Sequence, residues 1–283
     1  MQTTTLHCAN PQYPALLREI KNPPTFLYAS GPLPDIPLVA IVGSRRPTDY
    51  GRQVTYRLAS ELAAAGVGVV SGLAIGIDAV AHQAAIEAGG VTVAVLGSGL
   101  NQIYPASNRG LARKLLDSGG VIVSEQDYDM PPLRHHFPAR NRIIAGLSLG
   151  VVVTEATAES GSLITATYAL NENRLVMAVP GNITSLSSAG ANKLLRAGAT
   201  PITDTSQILD ALDIEAKLLA HPPPPPGSAE EAAILELIGK GATTSRELIE
   251  QSQLSAARFA HIISLMEITG KVRNLGAGTW VRR

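Results

Sequence analysis

The chain has 283 residues, of which 45% are hydrophobic, enough for one large α/β domain and a small second one. Lys and Arg total 23, as do Asp and Glu, so any phosphate-binding surface must be a local patch. The single cysteine, Cys8, excludes an intrachain disulfide framework and fits a reducing, cytoplasmic compartment. The first residues do not match a signal peptide, and no apolar run reaches roughly 18 residues, so we expect no membrane association.

Composition divides the chain into regions. Residues 1–37 are rich in proline and predict an extended N-terminal lead-in with one short helix near 14–20. Residues 38–219 alternate strand and helix patterns and predict the main domain. The proline run within residues 220–228 predicts a stiff linker, because polyproline cannot continue a helix. Residues 229–283 then form a separate small module.

The main domain alternates short apolar segments with helical patterns. Val54, Leu58 and Leu62 recur every four positions and therefore share one face of a helix, and 79–88 and 163–170 show similar patterns. Continuous apolar strands separated by helices predict an α/β fold with a parallel sheet covered on both faces. The predicted strands are 39–42, 67–70, 91–96, 121–123, 150–154 and 175–179.

Small polar residues follow every predicted strand, as in 43–46, 97–99 and 160–162. In open α/β sheets the ligand crevice lies at the carboxyl ends of the strands. We expect Arg45 and Arg46 at the N-terminus of the first long helix, where arginine is unfavourable unless an anion joins it. The pattern favours a phosphate-binding rim over the alternative, in which the glycines only allow the tight turns between strands and helices.

Several familiar sites are excluded. Gly97 and Gly99 begin a dinucleotide fingerprint that lacks its third glycine and follows the third strand, so NAD is not expected. There is no P-loop motif and no nucleophile elbow. His135 and His136 are adjacent in a predicted surface loop, a spacing that suits neither a helical metal site nor a catalytic triad. We therefore predict no cofactor and no metal.

Several motifs together resemble the DprA/Smf family of DNA-processing proteins over roughly residues 12–212. They occur in the order found in that family, and their number makes coincidence a poor explanation. The stretches that carry the resemblance are 43–51, 71–78, 104–108, 137–144 and 160–166.

The resemblance implies an extended Rossmann-like core that binds single-stranded DNA without catalysis. It also implies a homodimer that helps to load the RecA recombinase in natural transformation. Ala106 stands where relatives often carry lysine, so we expect one phosphate contact to be either weaker or replaced by Arg109, and we expect no helical domain before the core. The implied DNA-binding residues are Gly43, Ser44, Arg45, Arg46, Asn108, Arg109, Arg140, Asn141, Arg142, Ser160, Gly161, Ser162 and Thr165.

Two further hypotheses stay open beside this one. Related Rossmann-like folds hydrolyse the N-glycosidic bond of nucleotides, and Glu125 and Glu155 could serve as acid and nucleophile. A small-nucleotide sensor without turnover is the other alternative. Because aromatic residues are only 4% of the chain, we expect contacts mainly to the DNA backbone, with at most Phe137 or a tyrosine touching a base.

The C-terminal module predicts helices at 229–238, 245–251 and 255–269, then a hairpin that turns at Gly276 and Gly278. Three helices and a hairpin indicate a winged-helix-like domain. Its third helix offers only Arg258 and His261 as polar readers of duplex DNA, which favours a role in protein contact or self-regulation.

Overall fold

The chain folds as two units, Met1–Leu219 and Ala220–Arg283, in a computed structural model that describes residues 3–215 and 228–282. The predicted linker, 220–228, lies outside the described residues except for Ser228. That serine caps the first helix of the second unit, because its side chain accepts a hydrogen bond from the Glu231 N–H.

The first unit is built on a nine-stranded sheet with the order β1-β2-β6-β5-β4-β3-β7-β8-β9. Every residue of β3 to β7 is buried, as expected for parallel strands covered on both faces. The strands are β1 (Thr4–His7), β2 (Phe26–Ala29), β3 (Leu38–Val42), β4 (Gly68–Ser71), β5 (Thr92–Val95), β6 (Val121–Ser124), β7 (Gly150–Val153), β8 (Leu175–Ala178) and β9 (Thr200–Pro201).

Helices connect the parallel strands. Helix α3 contacts both α2 and α4, whereas α5 packs against α6. This grouping is expected when right-handed crossovers place the two sets of helices on opposite faces of the sheet. The helices are α1 (Ala15–Arg18), α2 (Asp49–Ala64), α3 (Ile77–Glu87), α4 (Arg109–Asp117), α5 (His136–Gly146), α6 (Ser162–Asn171), α7 (Ala189–Arg196) and α8 (Thr205–Ala211), with 3-10 turns at Ala106–Asn108 and Leu186–Ser188.

The six strands predicted from apolar runs are confirmed as β3 to β8, each within two residues of the predicted bounds. The short helix predicted near 14–20 is present as α1, but the prediction that the rest of residues 1–37 forms an extended lead-in was wrong. Its strands β1 and β2 pair antiparallel with each other, and β2 pairs antiparallel with β6, so this segment extends the sheet. Leu6, Leu27 and Ala29 are buried in the same core as the central strands. Both strands are only partly buried, so they lack the continuous apolar run by which β3 to β8 were recognised.

The strand order reverses beside β3. This strand pairs with β4 on one side and with β7 on the other, and both pairings are parallel. Successive strands run from β3 outward to β6, and the chain then returns to place β7 against β3. The carboxyl ends of β3 and β7 therefore flank the topological switch point, where open α/β sheets bind ligands.

The second unit contains α9 (Ala229–Gly239), α10 (Ser245–Ser252), α11 (Ala256–Ile268) and an antiparallel pair, β10 (Val272–Asn274) and β11 (Trp280–Arg282). Three helices followed by a hairpin confirm the predicted winged-helix arrangement. Arg258 on α11 donates two hydrogen bonds to Glu230, at 3.0 and 2.6 Å. One of the two side chains considered for contact with duplex DNA is therefore already paired within the second unit.

No helix within residues 3–215 and 228–282 combines the length and the apolar character needed to span a bilayer.

Candidate functional site

The loop that follows β3 is tied to its neighbours through its backbone. The Ser44 N–H donates to the Glu155 carbonyl at 2.7 Å, and the Ser44 carbonyl accepts from the Ile77 N–H at 3.1 Å. A Cβ at Gly43 would lie 2.7 Å from both the Glu155 carbonyl oxygen and the Ile77 side chain, so only glycine fits there. The Ser44 hydroxyl accepts from the Arg46 N–H at 3.1 Å. The loop is therefore held rigid before any ligand arrives.

Arg45 and Arg46 project from this loop as exposed side chains. Neither guanidinium group has a hydrogen-bond or ion-pair partner among residues 3–215 and 228–282. We define these two residues with Gly43 and Ser44 as the arginine loop. Two adjacent unpaired cations on a rigid loop at the switch point form a site for an anion.

The prediction that Arg45 and Arg46 occupy the start of α2 was wrong, because α2 begins at Asp49 with Thr48 as its N-cap. Pro47 explains the difference, since a residue before proline disfavours helical backbone. The anion at the start of α2 is the protein's own Glu155. This buried carboxylate accepts from the Thr48 N–H at 3.0 Å and from the Thr48 hydroxyl.

Arg140 lies beneath the rim and is only 5% exposed. Its guanidinium donates to the Gly72 carbonyl at 2.8 Å and to the Val95 carbonyl, which joins the ends of β4 and β5. Burial lowers the pKa of Arg140 to about 10; Asp78 opposes this shift and Arg45 adds to it. Arg140 thus supports the site from below and contributes positive charge close to Arg45, with little surface of its own to offer a strand.

Asp78 is the buried counter-charge of this network. Its carboxylate accepts from the Gly72 N–H at 3.1 Å and from the Ala74 N–H at 3.4 Å, which shapes the loop after β4. Burial raises the pKa of Asp78, and the positive charge of Arg140 works against that shift. Sequence analysis did not single out Asp78, although it closes the 71–78 stretch that carries part of the family resemblance.

Asn108 and Arg109 have different roles although they are neighbours. Asn108 is buried, and its amide donates to the Leu73 carbonyl at 2.8 Å, which fixes a residue whose φ is +56°. Arg109 is the exposed first residue of α4 and lines, with Arg113, a separate cleft of about 580 Å³. Asn108 is therefore a support, and Arg109 is a cation open to solvent.

The loop before α6 forms the opposite side of the crevice. The Ser160 and Ser162 hydroxyl oxygens lie 2.8 Å apart, and the exposed Gly161 accepts from the Asn141 amide at 3.3 Å. Asn141 in turn accepts from the Arg140 Nε at 3.3 Å, so this loop joins the buried arginine network. The side chain of Thr165 is buried in α6 and lies below the surface of the crevice.

The structure directs Arg142 away from this cluster. Its guanidinium forms a bidentate ion pair with Glu125, with N–O distances of 2.9 and 2.6 Å, and also donates to the Asn22 and Ala139 carbonyls. Both partners of the ion pair are largely buried, with side-chain exposures of 16% and 17%. These bonds tie α5 to the N-terminal segment, so Arg142 has a structural role in the fold.

The histidines also differ in part from their predicted setting. His136 begins α5 and is buried, so the pair does not lie in a surface loop as predicted; His135 alone is exposed. Across residues 3–215 and 228–282, no cluster of three or more His, Cys, Asp or Glu side chains is arranged to hold a metal ion.

An open, mostly parallel sheet with helices between its strands defines a Rossmann-like protein, and arginines without a partner among the described residues at its switch point suit an anionic ligand. The family model for DNA recombination-mediator protein A matches residues 4–213, and that for the DprA winged helix domain matches residues 219–278. The chain belongs to the DNA recombination-mediator protein A family.

Curated relatives agree with this assignment. Protein Smf of Escherichia coli is 46% identical over 202 residues, which cover 71% of this chain and 54% of that protein. The DNA processing protein DprA of Bacillus subtilis is 41% identical over 211 residues, which cover 74% of this chain and 71% of that protein. The chain spans about half the length of the Escherichia coli and Synechocystis relatives, of which 54% and 52% are covered.

Solved structures show the same fold. DprA of Streptococcus pneumoniae matches with a TM-score of 0.69 and 39% identity over 74% of each chain. DprA of Helicobacter pylori matches with a TM-score of 0.67 and 34% identity, over 75% of this chain and 95% of that one. The latter structure is described as showing a single-stranded DNA binding mode of the Helicobacter protein.

Proposed function

We propose that this protein binds the phosphate backbone of single-stranded DNA in the crevice between the ends of β3 and β7, without catalysing a reaction. The observation that carries the proposal is the pair of exposed guanidinium groups of Arg45 and Arg46 at the switch point, neither of which has a partner in the part of the chain that the structure describes. Arginine without a protein partner is available to pair with phosphate oxygens, and its fork geometry suits them.

The support beneath the arginine loop strengthens this proposal. Burial lowers the pKa of Arg140, and the nearby charge of Arg45 lowers it further, so the two guanidinium groups interact. Like charges held together by the fold repel each other, and an anion that binds between them relieves the repulsion. Because hydrogen bonds to Glu155 and Ile77 already fix the loop, binding costs little conformational entropy.

Family membership supports the choice of ligand and the wider role. The Helicobacter pylori relative is described with single-stranded DNA, and the family is named for mediating recombination. We propose that this protein acts in the cytoplasm as a homodimer and helps to load RecA on the DNA it holds during natural transformation. Two crevices in one dimer would bind a long strand more tightly than either crevice alone.

The contacts of Glu125 and Glu155 do not favour the alternative of a nucleotide hydrolase. Glu125 is held in its bidentate pair with Arg142, and Glu155 accepts two hydrogen bonds from Thr48. A general acid or nucleophile must be free to reach its substrate. Glu125 instead holds Arg142 in the scaffold, and Glu155 supports the start of α2.

The proposal is tested by fluorescence anisotropy with a labelled thymidine oligonucleotide across a salt series. Each phosphate neutralised on a single strand contributes about 0.7 to the slope of log K against log salt. We expect Arg45→Ala and Arg46→Ala each to lower the slope by about that amount and to weaken binding roughly fivefold to tenfold near 0.1 M salt.

The matched control is Arg57→Ala, which removes the same charge from α2 at a half-exposed arginine paired with Glu61. Its salt slope should equal that of the wild type. Failure of the wild type to bind at low salt, or an equal loss of slope in all three variants, would show that the arginine loop is not the phosphate site.

A further inference from the structure

A second cleft, of about 550 Å³, lies beside the arginine loop, between the first turn of α2 and the loop that follows β8. Its volume lies within the roughly 300–1,000 Å³ typical of small-molecule sites. Thr48 lines this cleft and is two residues from Arg46, so the backbone between them spans at most about 7 Å. A strand whose phosphate meets the arginine loop can therefore reach the cleft with the adjoining nucleotide.

Tyr50 provides one wall of the cleft. Its side chain is 47% exposed, so part of the ring is open to a ligand. The Tyr50 hydroxyl donates to the Pro180 carbonyl at 2.9 Å, which fixes the ring where it stands. A ring pinned at its hydroxyl and open along its side is a suitable platform for stacking a base.

The loop after β8 provides the other wall and is equally rigid. The Asn192 side chain accepts from the Gly181 N–H at 3.2 Å and donates to the Gly181 carbonyl at 3.0 Å. Asn182 lines the cleft, and its Oδ1 accepts from both the backbone and the hydroxyl of Thr184. The Asn182 amide group and the hydroxyl of Ser185, which lies 2.7 Å from that of Ser187, are polar groups among the residues that line the cleft. Base edges carry carbonyl and ring-nitrogen acceptors that match such donors.

We infer that this cleft binds a nucleobase of the strand whose phosphates meet Arg45 and Arg46, with the base stacked on Tyr50. The inference rests on the proposed function, because the arginine loop delivers the strand to the cleft. It adds a base contact to binding that the arginine loop alone would confine to the backbone.

Paired oligonucleotides separate the base contact from the backbone contact. One is a thymidine oligonucleotide, and the other has the same length and phosphates but abasic sugars. Stacking on one aromatic residue is worth at least about a fivefold change in affinity. We expect Tyr50→Leu to weaken thymidine binding by at least about fivefold and abasic binding by less than about twofold. Tyr50→Phe keeps the ring and should retain most of the thymidine affinity.

A direct readout comes from Tyr50→Trp, because the chain has a single tryptophan, Trp280, which lies in the second unit. Thymidine oligonucleotide should quench the emission of the added tryptophan, the abasic strand should leave it unchanged, and the wild type supplies the Trp280 background. Unchanged emission at saturation, or equal weakening of both ligands by Tyr50→Leu, overturns the inference while the proposed function stands. No binding of either strand to the wild type overturns both.

Discussion

Arg142 offers the clearest test of whether a residue serves the fold or DNA binding, because its guanidinium is held in an ion pair with Glu125. Family resemblance assigns Arg142 to the DNA groove, whereas the structure commits its guanidinium to Glu125 and to the Asn22 and Ala139 carbonyls. We therefore expect Arg142→Met to destabilise the first unit and to leave the salt slope of DNA binding at its wild-type value.

The magnitude follows from burial. Removing one partner of a buried ion pair costs about 3–5 kcal/mol, because the remaining charge has lost its counter-ion. The pair is not wholly buried, with side-chain exposures of 16% and 17%, so water can solvate Glu125 in part. We expect the free energy of unfolding to fall by about 2–4 kcal/mol. The double variant Glu125→Leu with Arg142→Met leaves no unpaired charge and should recover part of that loss.

The assay is urea unfolding followed by two intrinsic signals. All seven tyrosines lie between residues 13 and 168, whereas Trp280 lies in the second unit, so tyrosine and tryptophan emission report the two units separately. Arg57→Met is the control, because its pair with Glu61 is half-exposed with an N–O distance of 3.9 Å and its other hydrogen bond is one to the Thr203 carbonyl. It should cost about 1–1.5 kcal/mol, less than Arg142→Met.

An Arg142→Met protein with wild-type stability and a salt slope reduced by about 0.7 would refute this reasoning. That result would mean that Arg142 leaves Glu125 and contacts a phosphate. Loss of stability with an unchanged slope would establish Arg142 as part of the scaffold.

Three further predictions concern other residues of the first unit. Gly76→Ala should cost about 1–3 kcal/mol and weaken DNA binding, measured by urea unfolding and anisotropy, because φ is +90° and the new Cβ would lie 2.3 Å from the Ser44 carbonyl. Glu155→Gln should lower the free energy of unfolding by about 1–2 kcal/mol without weakening DNA binding, because a neutral amide accepts the Thr48 hydrogen bonds less strongly; wild-type stability would contradict it. Burial lowers the pKa of His82 from 6.5 to about 3. Between these two values the unfolded state binds a proton on His82 that the folded state does not, so the free energy of unfolding falls as the pH is lowered. Measured by urea unfolding at several pH values, the wild type should lose about 1.4 kcal/mol more unfolding free energy per pH unit below pH 6.5 than His82→Gln loses. Parallel curves of unfolding free energy against pH for the two proteins would contradict the prediction.

Much of the architecture could be predicted from local pattern. Strands β3 to β8 are runs of consecutive apolar residues, and such runs occur where both faces of a strand are buried. The winged-helix unit was equally recognisable, since three helical segments are followed by an alternating stretch with Gly276 and Gly278 at its turn. The arginine loop was located correctly as the segment after the first parallel strand, because loops at that edge form the ligand crevice.

Other features depended on residues far apart in sequence. Strands β1 and β2 join the sheet only because β6 offers an edge for β2 to pair with, and four residues alone carry no such signal. Glu155 could be predicted as polar and at a strand end, but its role at the start of α2 exists only because β3 and β7 are neighbours.

What the sequence determined by itself is therefore the alternation of buried strands and helices, the break between the two units, and the positions of the polar loops. Tertiary structure alone decided which charges remain available to a ligand. Arg45, Arg140 and Arg142 are the same residue type in motifs of the same family, yet one is exposed and unpaired, one is buried under the rim, and one is paired with Glu125. The physical reason is that a side chain's charge acts through its burial and its nearest partners, and long-range packing sets both.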